Sequence, residues 1–113
     1  MVKLSQGDII KLDFDPQAGH EQKGRRPAIV VSCSNFNRYS KTIMVCPITK
    51  TDKNHPFHVR LNEDTKVSGV VLCDQVKTLD IAARGYDFIE KAPKAVIFEI
   101  IDTISNFIEI DEW

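Results

Sequence analysis

Hydrophobic and polar residues alternate along much of this chain with the two-residue period of β-strands. In the stretch GDIIKLDFDP, Ile10, Leu12 and Phe14 alternate with polar residues, and an Asp-Pro dipeptide then ends the pattern. The stretch PAIVVSC, residues 27–33, is apolar at both odd and even positions. We therefore predict a half-buried first strand and a central second strand that is covered on both faces.

Similar patterns continue through the middle of the chain. The turn-forming residues of SNFNRYS predict a turn or one helical turn, and KTIMVCPI is typical of a third strand. In FHVRL, the residues Phe57, Val59 and Leu61 alternate again, and GVVLCDQVKTLD predicts a long strand that bends near Asp74 and Gln75. AARGYDFIE predicts a turn and a short strand. Because the connections are short, we expect an antiparallel meander.

The last segment changes to a helical period. Apolar residues recur there at steps of three and four, after Pro93 in the first turn: Val96, Ile97, Ile100, Ile101, Ile104, Phe107 and Ile108. This pattern predicts an amphipathic helix of about four turns. We expect one α+β domain over residues 1–113, mainly β, in which a strongly curved antiparallel sheet or open barrel is crossed by this C-terminal helix.

The composition narrows the class of protein. No stretch approaches the roughly 18 consecutive apolar residues of a membrane span, and residues 1–7 lack the features of a signal peptide, so we expect a cytoplasmic protein. Cys33, Cys46 and Cys73 are odd in number and lie in apolar runs, which predicts buried free thiols. A metal site built from Cys46, Cys73 and a histidine is not favoured, because the sequence has no CxxC or HxxxH pair. We expect no metal and no cofactor.

Charge is distributed unevenly, although the whole chain has a formal charge of −1. Residues 20–60 contain eight Lys or Arg against two acidic residues, a formal charge of +6 that leaves −7 for the rest. All three histidines, His20, His55 and His58, also lie in this segment. Such segregation allows one basic face to meet a polyanion such as nucleic acid, and a solvated charged surface is the alternative.

The stretch AGHEQKGRRP concentrates reactive side chains in one loop ahead of the second strand. His20 can give or take a proton near neutral pH, and Glu21 can act as a base or orient one. Arg25 and Arg26 are permanent cations that fit phosphate oxygens. These groups meet the needs of metal-free RNA cleavage, which are a base for the 2′-hydroxyl, an acid for the departing 5′-oxygen and a cation for the phosphoryl group. The alternative is a solvated hairpin without a catalytic role, which can have the same composition.

Three motifs occur in order along the chain: GDIIKLDFDPQAGHEQKGRRPAIVVS, CPIT and GVVLCDQVKTLD. With them the sequence resembles the MazF/PemK/Kid family of toxin endoribonucleases, from residue 7 to about residue 108. The resemblance implies a homodimer of SH3-like (CcdB-like) barrels and a cognate acidic antitoxin. It also implies metal-independent, sequence-specific cleavage of single-stranded mRNA, which inhibits translation and growth and leaves 2′,3′-cyclic phosphate and 5′-hydroxyl ends.

The resemblance assigns catalytic residues as well. The family's loop Glu and Arg fall on Glu21 and Arg26, its threonine after the third strand falls on Thr49, and His20 stands where Kid-like members have histidine. We expect Glu21, or His20 oriented by it, to take the 2′-proton, and protonated His20 to donate to the 5′-oxygen. Arg26 is a poor proton donor, since its pKa exceeds ~12, so we assign it electrostatic stabilisation. Thr49 would hydrogen-bond a phosphoryl oxygen or serve a turn.

Asp74 has several possible roles. It matches an acidic residue to which the Kid branch assigns catalysis, but Leu72 replaces the arginine that this branch has two positions earlier. The Kid-style assignment therefore does not transfer intact. We keep Asp74 among the catalytic candidates, as an acid or a base beside His20 and Glu21. The alternatives are that Asp74 reads bases, holds Arg26 in place or forms an ion pair at a strand end. We expect the other RNA contacts from polar residues on the basic segment and the bent strand: Lys23, Arg25, Lys50, Lys53, His58, Gln75 and Lys77.

Two other functions remain open at this point. CcdB-like toxins share the fold, bind DNA gyrase and catalyse nothing, and the terminal Trp113 is a candidate contact for such a partner. A protein that binds RNA without cutting it is the third possibility. The cluster of His20, Glu21 and Arg26 favours the endoribonuclease, because a pure binding protein has no need of it.

Overall fold

The chain folds into short strands joined mostly by turns. The computed structural model describes residues 3–14 and 25–113. Within these residues there are seven β-strands: β1 Asp8–Leu12, β2 Arg26–Val30, β3 Ile43–Thr49, β4 His58–Arg60, β5 Val70–Leu72, β6 Lys77–Leu79 and β7 Asp87–Lys91. Three α-helices accompany them: α1 Ser34–Ser40, α2 Ile81–Arg84 and α3 Lys94–Asn106.

The sheet is antiparallel at every strand pairing in the described residues, as the short connections predicted. The strands lie in the order β4-β5-β3-β2-β1-β7, and β6 pairs with β3 off this path. A turn of 3₁₀ helix at Cys73–Gln75 separates β5 from β6, so the predicted bend in GVVLCDQVKTLD is confirmed. Because of this bend, β5 pairs with the end of β3 and β6 pairs with its beginning.

Each face of the sheet covers its own hydrophobic core. Along β2, Ile29 belongs to the core beneath α3, whereas Ala28 and Val30 belong to the core on the opposite face. The prediction that this strand is covered on both faces is confirmed. The prediction of a half-buried first strand is wrong, since Ile9 lies in one core and Ile10 in the other. The reason is that β1 lies between β2 and β7 and not at an edge.

The C-terminal helix α3 packs on one of these cores. It begins after Pro93, where the missing N–H removes no helical hydrogen bond, and it ends two residues before Ile108. Its buried residues are Val96, Ile97 and Ile100. Phe98 and Ile101 remain 67% and 43% exposed, so the helix also presents an apolar strip outward. These features confirm the predicted amphipathic helix and leave apolar surface for a partner.

The segment SNFNRYS forms a longer helix than the single turn predicted. Its seven residues make up α1, which is fixed to the sheet by the buried Asn37. The Nδ2 of Asn37 donates to the carbonyl oxygens of Leu4 and Ser32 at 3.3 Å each, and the Ser32 hydroxyl donates to Asn37 Oδ1. These bonds satisfy a buried amide and explain why the short helix is held in place.

Two of the three cysteines are buried free thiols, as predicted, and Cys33 is exposed, which corrects the prediction for that residue. Cys33 follows the last buried residues after β2 and directly precedes α1, so its side chain has left the core. The hydrogen bond with Cys73, together with burial, raises the pKa of Cys46. The Cys46 thiol therefore stays protonated near neutral pH and is a poor nucleophile.

The architecture confirms the predicted fold class, α+β and mainly β, with a C-terminal amphipathic helix across a curved antiparallel sheet. The connection between β4 and β5 reaches β7 at the far edge of the sheet, as expected of an open barrel. Among residues 3–14 and 25–113, no helix is long and apolar enough to span a membrane.

Candidate active site

A groove of about 620 Å³ lies where β1, β2 and β3 meet the connection between β4 and β5. The residues that line it are Lys11, Arg25, Arg26, Pro27, Ile48, Thr49, Lys50, Thr51, Lys66, Val67, Ser68 and Ile89. Five of these side chains are cationic, and none of the described lining residues is acidic. We call this surface the cationic groove. Such a concentration of positive charge attracts phosphate groups.

Arg26 and Thr49 both line the cationic groove from strand ends. Arg26 is the first residue of β2 and pairs with Leu12 of β1, and Thr49 is the last residue of β3 and pairs with Val70 of β5. The pairing between β2 and β3 extends only to Ala28 opposite Pro47. Both side chains therefore face one groove from paired strands, where the backbone is fixed, and can serve the same phosphate.

Thr49 also serves the local turn. Its Oγ1 accepts the backbone N–H of Thr51 at 3.3 Å, which is the turn role anticipated from the sequence. A hydroxyl that accepts one hydrogen bond keeps its proton for donation. The two roles considered for Thr49 are thus compatible, because the turn uses the oxygen as an acceptor and a phosphoryl oxygen would use its proton.

Gly69 permits the close approach that shapes this end of the groove. Its φ is +125°, and a Cβ at this position would lie 2.2 Å from the carbonyl oxygen of Thr49. Any other residue would have to displace backbone at Thr49, so only glycine fits here without rearrangement. In the sequence, a glycine directly before a β-branched strand is a recognisable signal of close backbone contact.

Glu90 fixes the opposite wall of the groove. Its Oε1 accepts the backbone N–H of Lys66 at 3.0 Å, and its Oε2 accepts that of Val67 at 2.9 Å. The carboxylate, on β7, thereby joins the connection between β4 and β5 to the other edge of the sheet. Lys66 and Val67 both line the groove, so Glu90 positions them. Nothing in the sequence pattern indicated this contact, because the two segments are more than 20 residues apart.

Arg25 is the outermost arginine of the groove. Its Nη1 donates to Asp87 Oδ2 at 2.5 Å, and the two side chains are 38% and 68% exposed. An exposed ion pair of this kind contributes at most about 1 kcal/mol, so a phosphate can replace Asp87 at little cost. The predicted RNA-contact residues Arg25 and Lys50 both lie in the groove.

A second group of site candidates lies elsewhere, at the start of β4. His58 Nε2 is 3.3 Å from Asp74 Oδ1, and the rings of His58 and His55 stack with centroids 4.5 Å apart. We call His55, His58 and Asp74 the histidine–aspartate cluster. The side chain of His58 is only 11% exposed, whereas that of Asp74 is 36% exposed. The structure therefore joins Asp74 to His58 and does not place it among the residues that line the cationic groove.

Other predicted residues fall into three places. His20, Glu21 and Lys23 lie outside the described residues. Lys53 and Gln75 are exposed, the first between β3 and β4 and the second beside Asp74. Lys77, on β6, holds its Nζ 5.3 Å from the centroid of the Phe14 ring and is not part of the groove. In the part of the chain that the structure describes, no group of three or more His, Cys, Asp or Glu side chains could hold a metal ion.

Two cations of the groove, Lys11 and Lys66, were not among the predicted phosphate contacts. Both lie outside the basic segment 20–60. Folding brings both of them beside Arg25, Arg26 and Lys50. The basic surface is therefore larger than the charge distribution along the chain indicated.

A curved antiparallel sheet with one strongly cationic groove defines a small β protein built to bind a polyanion. The chain matches the family of PemK-like, MazF-like toxins of type II toxin-antitoxin systems over residues 5–108. It therefore belongs to this family, and the resemblance recognised from the three motifs is confirmed.

Individual relatives agree with this assignment. The chain is 34% identical over 109 residues to the endoribonuclease PemK of Escherichia coli, covering 93% of this chain and 82% of that protein. It is 39% identical to the endoribonuclease toxin ChpB of Escherichia coli K12, with 96% and 100% covered. A crystal structure of MazE-MazF from Deinococcus radiodurans superposes with a TM-score of 0.82 and 38% identity, over 94% of this chain and 96% of that one. These relatives do not favour the gyrase-binding alternative.

Proposed function

We propose that this chain, a toxin endoribonuclease of the MazF/PemK family, cuts single-stranded RNA in the cationic groove without a metal ion. The 2′-hydroxyl of the RNA would attack the adjacent phosphorus and expel the 5′-oxygen, leaving a 2′,3′-cyclic phosphate and a 5′-hydroxyl. The observation that carries this proposal is the groove itself, in which five cations and the Thr49 hydroxyl surround space for a phosphate, with no acidic side chain among the described lining residues.

Arg26 and Thr49 would stabilise the transition state. Negative charge grows on the phosphoryl oxygens as the fifth bond to phosphorus forms, and preorganised donors favour that charge more than the charge of the ground state. Arg26 can offer two parallel N–H groups to phosphate oxygens, and Thr49 can donate its hydroxyl proton to a third. Both residues are based on the ends of paired strands, so the donors need little reorganisation during the reaction.

Proton transfer would fall to His20 and Glu21. These two residues belong to the segment that joins β1 to β2, and the described end of this segment, Arg25, lines the groove. Glu21, or His20 oriented by it, would take the 2′-proton, and protonated His20 would donate to the departing 5′-oxygen. We assign Asp74 to RNA recognition and not to proton transfer, because its carboxylate lies 3.3 Å from His58 Nε2 and is not among the described residues that line the groove.

The RNA would contact further residues around the groove. Lys23, Arg25, Lys50 and Lys53 are cations that would meet phosphates. We place His58, Gln75 and Lys77 with the recognition of flanking nucleotides, since the last two are exposed and His58 orients Asp74.

We further propose that the chain acts as a homodimer in the cytoplasm and is inhibited by an acidic antitoxin. The exposed apolar side chains Phe98 and Ile101 on α3 give self-association a physical reason. The neighbour from Deinococcus radiodurans was crystallised as MazE-MazF, and the cationic groove of this chain would attract an acidic segment of such a partner.

The test is incubation of the purified protein with a long single-stranded RNA in EDTA, followed by mapping of the fragment ends. We expect cuts at a recurrent short sequence with cyclic-phosphate ends. Arg26→Ala should lower the cleavage rate about 100- to 1000-fold, as loss of a transition-state donor does, and Thr49→Ala about 10-fold.

Arg38→Ala is the matched control. It removes an exposed arginine on α1 whose side chain donates to Asn35 and lies outside the groove, so the cleavage rate should stay within about twofold of wild type. Intact RNA at every protein concentration, with folded protein that is free of antitoxin, would refute the proposed function.

A further inference from the structure

Two buried thiols lie next to each other in the core beneath α3, and the cleavage chemistry proposed above uses neither. Cys46 is on β3, Cys73 begins the turn between β5 and β6, and both are 0% exposed. Ile48 of β3 pairs with Val71 of β5, and each segment continues by two residues from this pair to its cysteine. All four side chains belong to the same hydrophobic core, so the antiparallel pairing brings the two cysteines together.

A hydrogen bond joins the two sulfurs directly. The Cys46 thiol donates to Cys73, whose own sulfur lies 3.8 Å from the carbonyl oxygen of Val71. The bond from Cys46 holds the pKa of Cys73 below its usual range. Cys73 is therefore the more reactive of the two, because the thiolate and not the thiol attacks an oxidant.

We propose that Cys46 and Cys73 form a reversible oxidation site, at which hydrogen peroxide converts the two thiols to a disulfide and the new bond displaces the turn that carries Asp74 and Gln75. Two thiols on directly neighbouring antiparallel segments have backbones close enough for such a bond. In a reducing compartment the disulfide would be transient, as expected of a redox sensor and not of a structural bridge.

The reaction takes two steps and uses one molecule of peroxide. The Cys73 thiolate attacks one peroxide oxygen and breaks the O–O bond, which gives Cys73 sulfenic acid and a hydroxide that takes up a proton. The Cys46 thiol then loses its proton as its sulfur attacks the Cys73 sulfur, and the S–O bond breaks to release water. Two thiols lose two electrons in total, and the peroxide is reduced to two molecules of water.

The turn Cys73–Gln75 is the part of this region that can open and move. It has three residues, of which Asp74 and Gln75 are exposed, and the strands β5 and β6 on either side have three residues each. Local opening of so short a segment costs less than global unfolding, and it gives peroxide access to the buried sulfurs.

Formation of the disulfide would move the turn and not β3. The sulfurs must approach beyond hydrogen-bonding contact, and β3 is held by β2 on one side and by β5 and β6 on the other. The turn carries Asp74, whose Oδ1 lies 3.3 Å from His58 Nε2, so this contact would change as well. The inference rests on the proposed function in one respect, namely that Asp74 and Gln75 take part in RNA recognition.

The first test is peptide mapping of the folded Cys33→Ser variant after treatment with hydrogen peroxide. This variant lacks the exposed thiol and keeps the buried pair. Trypsin cuts after Lys and Arg, so Cys46 falls in peptide 42–50 and Cys73 in peptide 67–77. We expect these two peptides to appear joined, with the mass of their sum less two hydrogen atoms, and to separate again after dithiothreitol.

The wild-type protein and a double variant complete this test. In wild type, the exposed Cys33 reports that peroxide was active. Cys33→Ser/Cys46→Ala removes the partner thiol, so Cys73 should stop at sulfenic acid and be labelled by dimedone. The proposal would be overturned if Cys46 and Cys73 stayed unmodified in folded wild type while Cys33 was fully oxidised, or if the disulfide linked two molecules.

The second test measures binding of a fluorescent 2′-O-methyl oligouridylate, which cannot be cut because its 2′-hydroxyl is blocked. Oxidised Cys33→Ser should bind this RNA about 5-fold more weakly than the reduced protein, and dithiothreitol should restore the affinity. Cys33→Ser/Cys46→Ala, treated with peroxide and then dithiothreitol, is the control and should bind as before treatment. A disulfide that leaves the affinity unchanged would refute displacement of the turn.

The two proposals fail separately. A protein that forms the disulfide but leaves natural RNA intact would contradict the proposed function alone. A protein that cuts RNA but never forms the disulfide would contradict the oxidation site alone.

Discussion

The cationic groove and the histidine–aspartate cluster use polar side chains in opposite ways. The groove collects exposed positive charges on strand ends and has no acidic side chain in its described lining. The cluster has one carboxylate, 36% exposed, whose oxygen lies 3.3 Å from a nitrogen of a histidine that is nearly buried and stacked on another ring. The first surface supplies strong attraction for any phosphate, and the second supplies stacked rings beside a single carboxylate.

This difference shows how a small RNA-binding protein can assign affinity and specificity to separate surfaces. Contacts to phosphates give affinity that is independent of sequence, whereas contacts to base edges give specificity. The groove can bind a phosphate with mobile side chains, because the negative charge of a phosphate is shared among oxygens that point in several directions. The cluster requires a rigid arrangement, since recognition of a nucleotide depends on the position of its hydrogen bonds. Burial and stacking of His58 supply that rigidity.

The largest effect should come from a substitution that displaces the backbone that shapes the groove. Gly69→Ala would place a Cβ 2.2 Å from the Thr49 carbonyl oxygen at a φ of +125°, so backbone must shift. We expect a loss of about 3 kcal/mol in the free energy of unfolding, measured by urea denaturation, and a fall in RNA cleavage in the fraction that stays folded.

Ser68→Ala is the neighbouring control for this substitution. Ser68 is exposed, and its change should alter stability by less than about 0.5 kcal/mol. If Gly69→Ala were as stable as wild type, the close approach between Gly69 and Thr49 would not exist in solution.

A smaller effect is expected from Glu90→Gln, which loosens one wall of the groove and leaves the five cations of the groove in place. The amide has one acceptor oxygen for the two N–H groups of Lys66 and Val67, so one bond is lost and stability should fall by about 1 kcal/mol. We expect the KM for RNA to rise several-fold with little change in kcat, because Lys66 would lose its position while Arg26 keeps its own.

The control is Glu99→Gln, an exposed glutamate on α3, for which steady-state cleavage kinetics should match wild type. A Glu90→Gln variant that lost kcat and kept KM would show that this wall acts on the transition state and not on RNA binding.

The sequence predicted most of the strands and their antiparallel pairing, but only part of the site; the meander it predicted fails after β3, which pairs with β5 and β6 and not with β4. Alternation identified β2 as covered on both faces, and the lapse of apolar character at Asp74 and Gln75 identified the bend between β5 and β6. These features depend on local patterns, which a sequence displays directly. The family resemblance supplied Arg26 and Thr49, and the folded sheet places both in the lining of one groove.

What the sequence did not reveal depends on contacts between distant segments. The bonds from Glu90 to Lys66 and Val67, and the approach of Gly69 to Thr49, require the sheet to curl before they exist. The burial of His58 was also missed, because alternation in FHVRL placed that side chain on the polar face. The 3₁₀ turn at Cys73–Gln75 brings Asp74 against His58, and no strand periodicity encodes such a turn.

The smallest predicted effect concerns charge alone and separates the two surfaces most cleanly. Lys66→Gln removes the charge of an exposed groove side chain and keeps it polar and flexible, one atom shorter. In plots of log affinity against log salt concentration, the slope for a 2′-O-methyl oligouridylate should become shallower by about 0.7, as expected when one phosphate contact to a single strand is lost. Asp74→Asn should leave the contribution of Lys66 to this slope intact, because Asp74 is not among the described residues that line the groove.

Lys94→Gln is the control for this measurement. Lys94 is an exposed cation at the start of α3, outside the groove, and its removal should not change the slope. An unchanged slope in Lys66→Gln would mean that phosphates do not contact this wall. The contacts to RNA phosphates would then be restricted to Arg25, Arg26 and Lys50. The boundary between the cationic groove and the histidine–aspartate cluster would lie closer to β3.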